Sequence, residues 1–200
     1  MQIDIDRILD ISKVHPLRLK ACYVFGSRVY GTSKKNSDCD IKLIANGTRS
    51  NLEIKHDIYN IHIITPQDFQ DQLKQHKPGS VECVLAPDEF KIKTGDFKFD
   101  MNIPSLRHSF SHTSSNSWVK AKKKLLQNDY EIGIKSMFHS LRIPLFGIQI
   151  AKTGKIHDFS EANWIWKKLR NQYWTWDRLD QEFRPIRNMI MSEFRNVTEK

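Results

Sequence analysis

The sequence predicts an α/β (α+β) fold in two parts: a mixed sheet with flanking helices over residues 1–103, then a helical bundle over residues 104–200. Up to Pro104, short apolar runs alternate with glycine and proline turns, which is typical of strands. After Pro104 the apolar residues recur with the helical period of 3.6. Two hundred residues suit one domain or two small ones and are enough to bury a hydrophobic core.

The first part opens with a helical pattern. Residues 3–14 have the apolar spacing of a short amphipathic helix, which His15-Pro16 ends. Strands are predicted over 21–25, from Asp38 to Ala45, and over 52–56, 59–65 and 80–86. Thr65 and Pro66 begin a helix that extends to about residue 76. A small hairpin is predicted over residues 90–101.

The second part reads as four helices, over residues 104–127, 130–153, 160–172 and 176–196. Asp129 and Ser160 are suited to cap the second and third of them. Pro144 lies inside the second, so we expect a kink or break there.

The charge is unevenly distributed. Residues 1–104 hold 15 basic and 14 acidic side chains, whereas residues 105–200 hold 17 and 9, giving balances of +1 and +8. A basic half suits a polyphosphate or nucleic-acid partner, although a solvated lysine-rich surface has the same composition. No apolar run is long enough to span a membrane. Cys22, Cys39 and Cys83 have no paired spacing, and they predict reduced thiols in a cytoplasmic protein.

Chemically active residues concentrate around two predicted strands. The first strand ends in Gly26-Ser27, a tight turn whose backbone N–H groups can face an anion. The next carries Asp38 and Asp40, which the two-residue period of a strand places on one face. Two carboxylates that close repel each other, and a divalent cation is the usual compensation.

Gly26-Ser27, ten intervening residues and Asp38-x-Asp40 together resemble the signature of the DNA polymerase β-like nucleotidyltransferase superfamily. Gly31 and Ser37 also fit, and the resemblance covers residues 20–65. It implies a polymerase β-like sheet that transfers a nucleoside monophosphate from a nucleoside triphosphate. Asp38 and Asp40 would bind Mg²⁺ or Mn²⁺, and Gly26, Ser27, Arg28 and Ser37 would bind the nucleotide.

The family's third carboxylate is matched here by an asparagine, Asn60. An amide oxygen can still bind a hard cation, but it brings no charge and accepts no proton. Three readings stay open: Asn60 is a weak ligand helped by Asp57, His62 or Glu82; the enzyme is slow with one metal ion; or only nucleotide binding remains. Glu82 stands out because a carboxylate in an apolar strand is costly unless it is exposed or paired.

Cationic side chains recur along the predicted helices. Lys135, His139 and Arg142 share one helix face, which suggests a ridge that faces phosphate. Lys120 lies in a second basic segment that could reach the triphosphate or an RNA backbone. An ordinary solvent face is the alternative for both. Residues 135–142, together with 147–149, are also similar to the helical tail of stand-alone nucleotidyltransferases, in which a helix bundle completes the cleft over the catalytic sheet.

The predicted function is therefore metal-dependent nucleotidyl transfer to an acceptor hydroxyl, with release of pyrophosphate. The basic half favours RNA as the acceptor, and a protein or a small molecule stays open. Two alternatives remain: a catalytically impaired nucleotide- or RNA-binding module, and the nucleotidyltransferase of a toxin–antitoxin pair, which would have a protein partner. No membrane association is expected.

Overall fold

A computed structural model describes residues 3–49 and 51–199, which form two compact units, Met1–Asp100 and Met101–Lys200. The first unit contains the helices and strands α1 (Ile5–Ser12), β1 (Leu19–Phe25), α2 (Ser27–Tyr30), β2 (Cys39–Ala45), β3 (Leu52–His56), β4 (Tyr59–Ile64), α3 (Pro66–Lys74), α4 (Pro78–Leu85) and β5 (Lys91–Lys93). The second contains α5 (Ile103–Leu126), α6 (Tyr130–Thr153), α7 (Asn163–Arg170) and α8 (Trp176–Val197). The predicted fold class is confirmed.

The five strands form one mixed sheet in the order β3-β4-β2-β1-β5. Only the β2–β4 pairing is parallel, and it sets Asp40 opposite Asn60 and Lys42 opposite His62. Antiparallel pairing of β1 with β2 sets Phe25 opposite Asp40. The end of β1 and the beginnings of β2 and β4 therefore meet at one edge of the sheet.

The two faces of this sheet differ in polarity because successive side chains alternate between them. On one face, Ile41, Leu43, Ile61 and Ile63 are buried. The opposite face carries partly exposed polar residues near the edge where the three strands meet. These are Asp40, Lys42, Asn60 and His62. The strand predicted over residues 59–65 is confirmed as β4, in which buried and partly exposed side chains alternate from Tyr59 to His62.

Several helix boundaries follow the predicted local chemistry. The Thr65 side chain accepts a hydrogen bond from the Asp68 N–H, and Pro66 is the first residue of α3. Lys13 ends α1 with a φ of 55°, and its N–H donates to the Asp10 carbonyl.

The predicted strand over residues 80–86 is wrong, because Pro78–Leu85 forms the helix α4. A short apolar run does not distinguish a buried strand from a buried helix. Pro78 suits the first turn of a helix, where no N–H donor is needed. The Cys83 thiol contacts the Gly79 carbonyl one helical turn earlier, at 3.1 Å. Glu82 and Cys83 are therefore helical residues and do not alternate across a sheet.

The hairpin predicted over residues 90–101 is also wrong. Only Lys91–Lys93 forms a strand there, and it pairs with β1 at the sheet edge. The chain beyond it returns to α3, where the Phe97 and Phe69 rings lie 4.9 Å apart. Gln70 also exchanges two hydrogen bonds with the backbone of Lys98. Packing of Phe97 against Phe69 on α3 therefore takes the place of the second strand of the predicted hairpin.

In the second unit all four predicted helices are present, but two details differ. Ser160 does not cap α7, whose first residue is Asn163 and whose cap position is Ala162. Asp129 lies at the cap position of α6 without a side-chain capping bond, and it forms an ion pair with Lys124 instead, at 2.8 Å.

Pro144 does not break α6, which continues to Thr153. A proline inside a helix removes the hydrogen bond to the carbonyl four residues earlier, here that of Ser140. The buried Ser114 hydroxyl of α5 donates to this carbonyl at 2.6 Å. A neighbouring helix therefore supplies the donor that proline lacks, which lets α6 continue.

Within residues 3–49 and 51–199, no helix combines the length and apolar character that crossing a bilayer requires.

Candidate functional site

Gly26 lies in a backbone conformation that favours glycine, with φ at 76° and ψ at −149°. A Cβ atom at this position would lie 2.5 Å from the Asp40 Oδ2 atom. The missing side chain therefore lets the Asp40 carboxylate lie directly against the turn. This contact joins the two halves of the motif that the sequence identified.

Ser27 begins α2, and its side chain is partly exposed. The first N–H donors of this helix are those of Val29 and Tyr30, which both donate to the Gly26 carbonyl. The N–H groups of Ser27 and Arg28 precede them and have no partner within the helix. Together with the Ser27 hydroxyl, they are suited to bind phosphate oxygens.

Arg28 and Ser37 hold the segment that leads to the aspartates. The Arg28 guanidinium donates to the backbone carbonyls of Ser37, at 2.7 Å, and Asp38, at 3.3 Å. The Ser37 hydroxyl accepts a hydrogen bond from the Lys34 N–H at 2.7 Å. These contacts position Asp38 relative to the turn. Direct nucleotide contact by Arg28 and Ser37 stays a prediction.

Asp38 and Asp40 occupy different positions relative to the strand. β2 begins at Cys39, so Asp38 precedes the strand by one residue and is exposed. Asp40 is partly buried between Gly26 on β1's side and Asn60 on β4. One carboxylate is therefore held by the sheet, and the other lies in solvent at its edge.

Asn60 contacts Asp40 directly. Its Nδ2 donates to the Asp40 Oδ1 at 3.0 Å, and the same nitrogen lies 3.1 Å from the Nε2 of His62. Among the described residues, its Oδ1 is buried and has no hydrogen-bond partner. The amide thus meets the carboxylate with an N–H donor, where an aspartate would meet it with a second negative charge.

These residues fit one hard divalent cation. Mg²⁺ and Mn²⁺ prefer oxygen ligands, and the carboxylates of Asp38 and Asp40 supply that kind of donor. The Asn60 amide turns its N–H toward Asp40, so its oxygen would join them only after the amide rotates. Residues 3–49 and 51–199 contain no group of three or more His, Cys, Asp or Glu side chains suited to hold a metal ion. The chain therefore offers two carboxylates where the family resemblance implies three.

His62 shares the sheet face with this group. Its ring lies 5.3 Å from that of Phe25, and its Nε2 is 4.0 Å from a Glu53 carboxylate oxygen. Burial lowers the pKa of His62, and the Glu53 charge only partly opposes this shift. A neutral imidazole can accept the Asn60 N–H at Nε2. His62 therefore supports Asn60, and a direct role in the reaction stays a prediction.

Glu82 is buried on α4, where Tyr30 donates a hydrogen bond to it at 2.5 Å. Tyr30 is the last residue of α2, so the contact fixes the far end of the helix that Ser27 begins. The sequence singled out Glu82 but assigned it to a strand, and it gave no sign that Tyr30 was its partner.

Lys42 lies beside this group of residues, and the motif did not identify it. It lies on the Asp40 face of β2, with its Nζ 5.3 Å from the centre of the Phe25 ring. The same Nζ lies 3.4 Å from the Gly79 carbonyl and 3.5 Å from the Ser80 hydroxyl. The two-residue period that relates Asp38 to Asp40 also reaches Lys42, so the signal was present in the sequence.

In the second unit, the structure brings four predicted residues together. Burial lowers the pKa of His139, and together with the charges of Arg142, Lys120 and Lys135 it brings this pKa to about 3. Arg142 itself is buried over the Phe146 ring, 4.7 Å from its centre. Lys120 and Lys135 are exposed. Their phosphate contacts stay predictions, but the positive charge there is concentrated.

A family model described as "Polymerase beta, Nucleotidyltransferase" matches residues 7–88. A spectinomycin adenyltransferase from Enterococcus faecialis, solved with ATP and spectinomycin, is 14% identical in sequence. The match covers 98% of each chain with a TM-score of 0.50. At this identity the likeness shows the fold alone. The predicted resemblance is confirmed for residues 7–88.

A second solved structure, a nucleotidyltransferase-like protein from Exiguobacterium sibiricum, is 10% identical. That match covers 97% of this chain and 73% of the other, with a TM-score of 0.35. No curated protein sequence matches the chain significantly.

The Tyr30–Glu82 contact should contribute measurably to stability. Tyr30→Phe removes the donor from a buried carboxylate and should lower the free energy of unfolding by about 1–3 kcal/mol. In a Glu82→Leu background the same substitution should have little effect, because no carboxylate is left to satisfy. Urea denaturation of the four proteins measures this coupling. Strictly additive effects would contradict the assignment.

His139 should make the protein sensitive to acid. Its folded-state pKa lies below the ordinary value of 6.5, so between pH 6.5 and 3 the unfolded chain binds a proton that the folded chain does not. Stability should therefore fall as the pH falls through this window. Between pH 7 and 4.5, His139→Gln should lose about 2–3 kcal/mol less than the parent protein. Denaturation at both pH values measures this, and equal losses would contradict it.

Proposed function

We propose that this protein transfers a nucleoside monophosphate from a nucleoside triphosphate to an acceptor hydroxyl, and that it releases pyrophosphate. One observation carries the proposal. The Asp40 carboxylate lies against Gly26 so closely that a Cβ there would be 2.5 Å from Oδ2. A phosphate-binding turn and a carboxylate are thus held together, as transfer from a metal-bound nucleotide requires.

Each residue has a distinct role in this proposal. The N–H groups of Ser27 and Arg28, with the Ser27 hydroxyl, bind and orient the β- and γ-phosphates. Asp38 and Asp40 would hold Mg²⁺ or Mn²⁺, which when bound neutralises phosphate charge, and the Asn60 oxygen would join them if the amide rotates away from its N–H contact with Asp40. The acceptor oxygen loses its proton to solvent and forms a bond to the α-phosphorus, while the bond between the α-phosphorus and the oxygen that bridges it to the β-phosphorus breaks and pyrophosphate leaves. Asn60 accepts no proton from the acceptor, which separates it from an aspartate at this position.

RNA is our first choice of acceptor. Residues 105–200 hold 17 basic and 9 acidic side chains, and a surplus of that size favours a polyanionic partner. Of the predicted cluster in this basic half, Lys120 and Lys135 are exposed, and we propose that these two side chains bind phosphate oxygens, whereas Arg142 is buried and His139 is neutral.

A small hydroxyl compound is the second candidate. The spectinomycin adenyltransferase resembles this chain over 98% of both lengths, and it was solved with ATP and spectinomycin. A protein of this fold is therefore compatible with a small acceptor. The two candidates differ in the mass of the labelled product.

Label transfer should depend on the aspartates. With nucleoside triphosphates labelled at the α-phosphate, Mg²⁺ or Mn²⁺ and host RNA, protein or small-molecule extracts, we expect label on one acceptor class. Asp40→Ala should reduce transfer at least about 100-fold, because it removes the ligand that the sheet holds. Asp10→Ala, which removes an exposed carboxylate paired with Lys13 at 2.9 Å, is the matched control.

No label with any nucleotide, together with measurable nucleotide binding, would favour a catalytically impaired binding module over an enzyme. Co-purification with one specific protein, and transfer to that protein alone, would favour a toxin–antitoxin partner. Label on RNA or on a small compound would identify the acceptor class.

Asn60→Asp should change how strongly the site depends on a cation. The substitution replaces an N–H donor 3.0 Å from Asp40 with a second carboxylate, and the two charges repel without a cation. We expect a lower melting temperature without divalent ions, a larger rise on adding Mg²⁺ or Mn²⁺, and faster transfer. Calorimetry gives the first two results independently of activity.

Asn60→Ala is the control, since it removes the N–H donor without adding charge. It should destabilise the site but should not increase the response to Mg²⁺. Identical Mg²⁺ responses in Asn60→Asp and the parent protein would contradict the assignment of this position to the cation site.

A further inference from the structure

A second cluster of cations lies in the helical unit, apart from the residues assigned above. We call this cluster, together with the two tryptophans beneath it, the indole–cation patch. Helices α5 and α8 form it, and its residues are Trp118, Lys122, Trp176, Arg184 and Arg187. The two indole rings lie 5.8 Å apart and meet edge to face, with an interplanar angle of 80°. This contact joins the helices and provides an aromatic base for the cations.

All three cations lie over these rings. The guanidinium carbons of Arg184 and Arg187 are 5.9 and 5.1 Å from the centre of the Trp118 ring. The Lys122 Nζ is 5.7 Å from the centre of the Trp176 ring. Contacts at these distances are attractive, and they hold long side chains in defined positions. The cations are therefore placed before any ligand arrives.

The local acidic charge does not balance these cations. Asp180 forms a two-pronged ion pair with Arg184, with a closest distance of 2.7 Å. Within residues 3–49 and 51–199, Lys122 and Arg187 form no ion pair. Two positive charges on the patch are left for an external anion.

Arg187 is the most constrained of the three. Its Nη2 donates to the Ser115 hydroxyl at 3.2 Å, while its Nε is buried and has no hydrogen-bond partner among the described residues. Burial and the neighbouring Arg184 charge lower the pKa of Arg187, although an arginine stays cationic in a protein. Two guanidinium groups beside one ring repel each other, and a bound anion would relieve this repulsion.

We propose that the indole–cation patch binds the phosphodiester backbone of single-stranded nucleic acid. Arginine donors suit phosphate oxygens, and the partly exposed Trp176 offers a ring surface for a base. Trp118 is 9% exposed, so it supports the arginines and does not stack on a base itself. The patch lies in the half of the chain with the surplus of positive charge, which extends the attraction over several phosphates.

The test measures the binding of fluorescein-labelled 20-nucleotide single strands, one RNA and one DNA, to the full chain by anisotropy. No nucleotide or divalent ion is added, so the result does not depend on nucleotidyl transfer. Lys122→Gln and Arg187→Gln should each weaken binding about 3- to 10-fold. Each should also reduce, by about 0.7, the slope of the logarithm of the binding constant against the logarithm of the salt concentration. Arg178→Gln, the same charge change at an exposed position on α8 outside the patch, should change it less than about 2-fold.

Lys122 is exposed, so its variant tests the patch even if Arg187→Gln disturbs the packing. Equal losses in the patch and control variants would overturn the proposal, and so would an absence of binding. Displacement by inorganic pyrophosphate at equal phosphate concentration would also overturn it, because it would show an isolated phosphate site. Binding of duplex as tight as single strand would overturn the single-strand assignment. Comparing the affinities for the two single strands shows whether the patch prefers RNA or DNA.

Discussion

The close approach of Asp40 to Gly26 is the constraint on which the candidate site depends. It requires a residue without a side chain and with a positive φ at the end of β1, and glycine meets both conditions. Parallel pairing of β2 with β4 then sets Asn60 opposite Asp40, so the hydrogen bond between them follows from strand register. Register in a sheet with one buried face is strongly specified, because a shift of one residue would move Ile41 and Ile61 out of the core.

Around this contact, the first unit fixes α2 at both ends. Arg28 joins it to the backbone before β2, and Tyr30 joins it to Glu82 on α4. A four-residue helix has few hydrogen bonds of its own and depends on such contacts for its position. The buried carboxylate of Glu82 is therefore better explained by its role in holding α2 than by direct contact with a substrate.

Much of this arrangement could be predicted from the sequence. The strands that carry the motif, the turn and the three long helices α5, α6 and α8 have strong periodic or glycine signals, so local pattern identified them. The prediction of a strand over residues 80–86 was wrong because a short apolar run that contains one charged residue, Glu82, fits either a buried strand or a buried helix. The Tyr30–Glu82 and Ser114–Ser140 contacts join residues far apart in the chain, and no local pattern contains that information. Pro144 shows the consequence: its local rule predicts a break, and a hydroxyl from another helix prevents it.

Asn60 and the indole–cation patch illustrate two ways of managing charge. At Asp40, a neutral amide reduces the negative charge that a cation would otherwise have to balance, and the N–H donor satisfies the carboxylate directly. On α5 and α8, the opposite holds: Asp180 offsets only Arg184, and positive charge is retained over two indole rings. Cationic side chains that packing already holds in place lose less conformational entropy when an anion binds than side chains that move freely in solvent. That difference separates the patch from an ordinary basic surface of the same net charge.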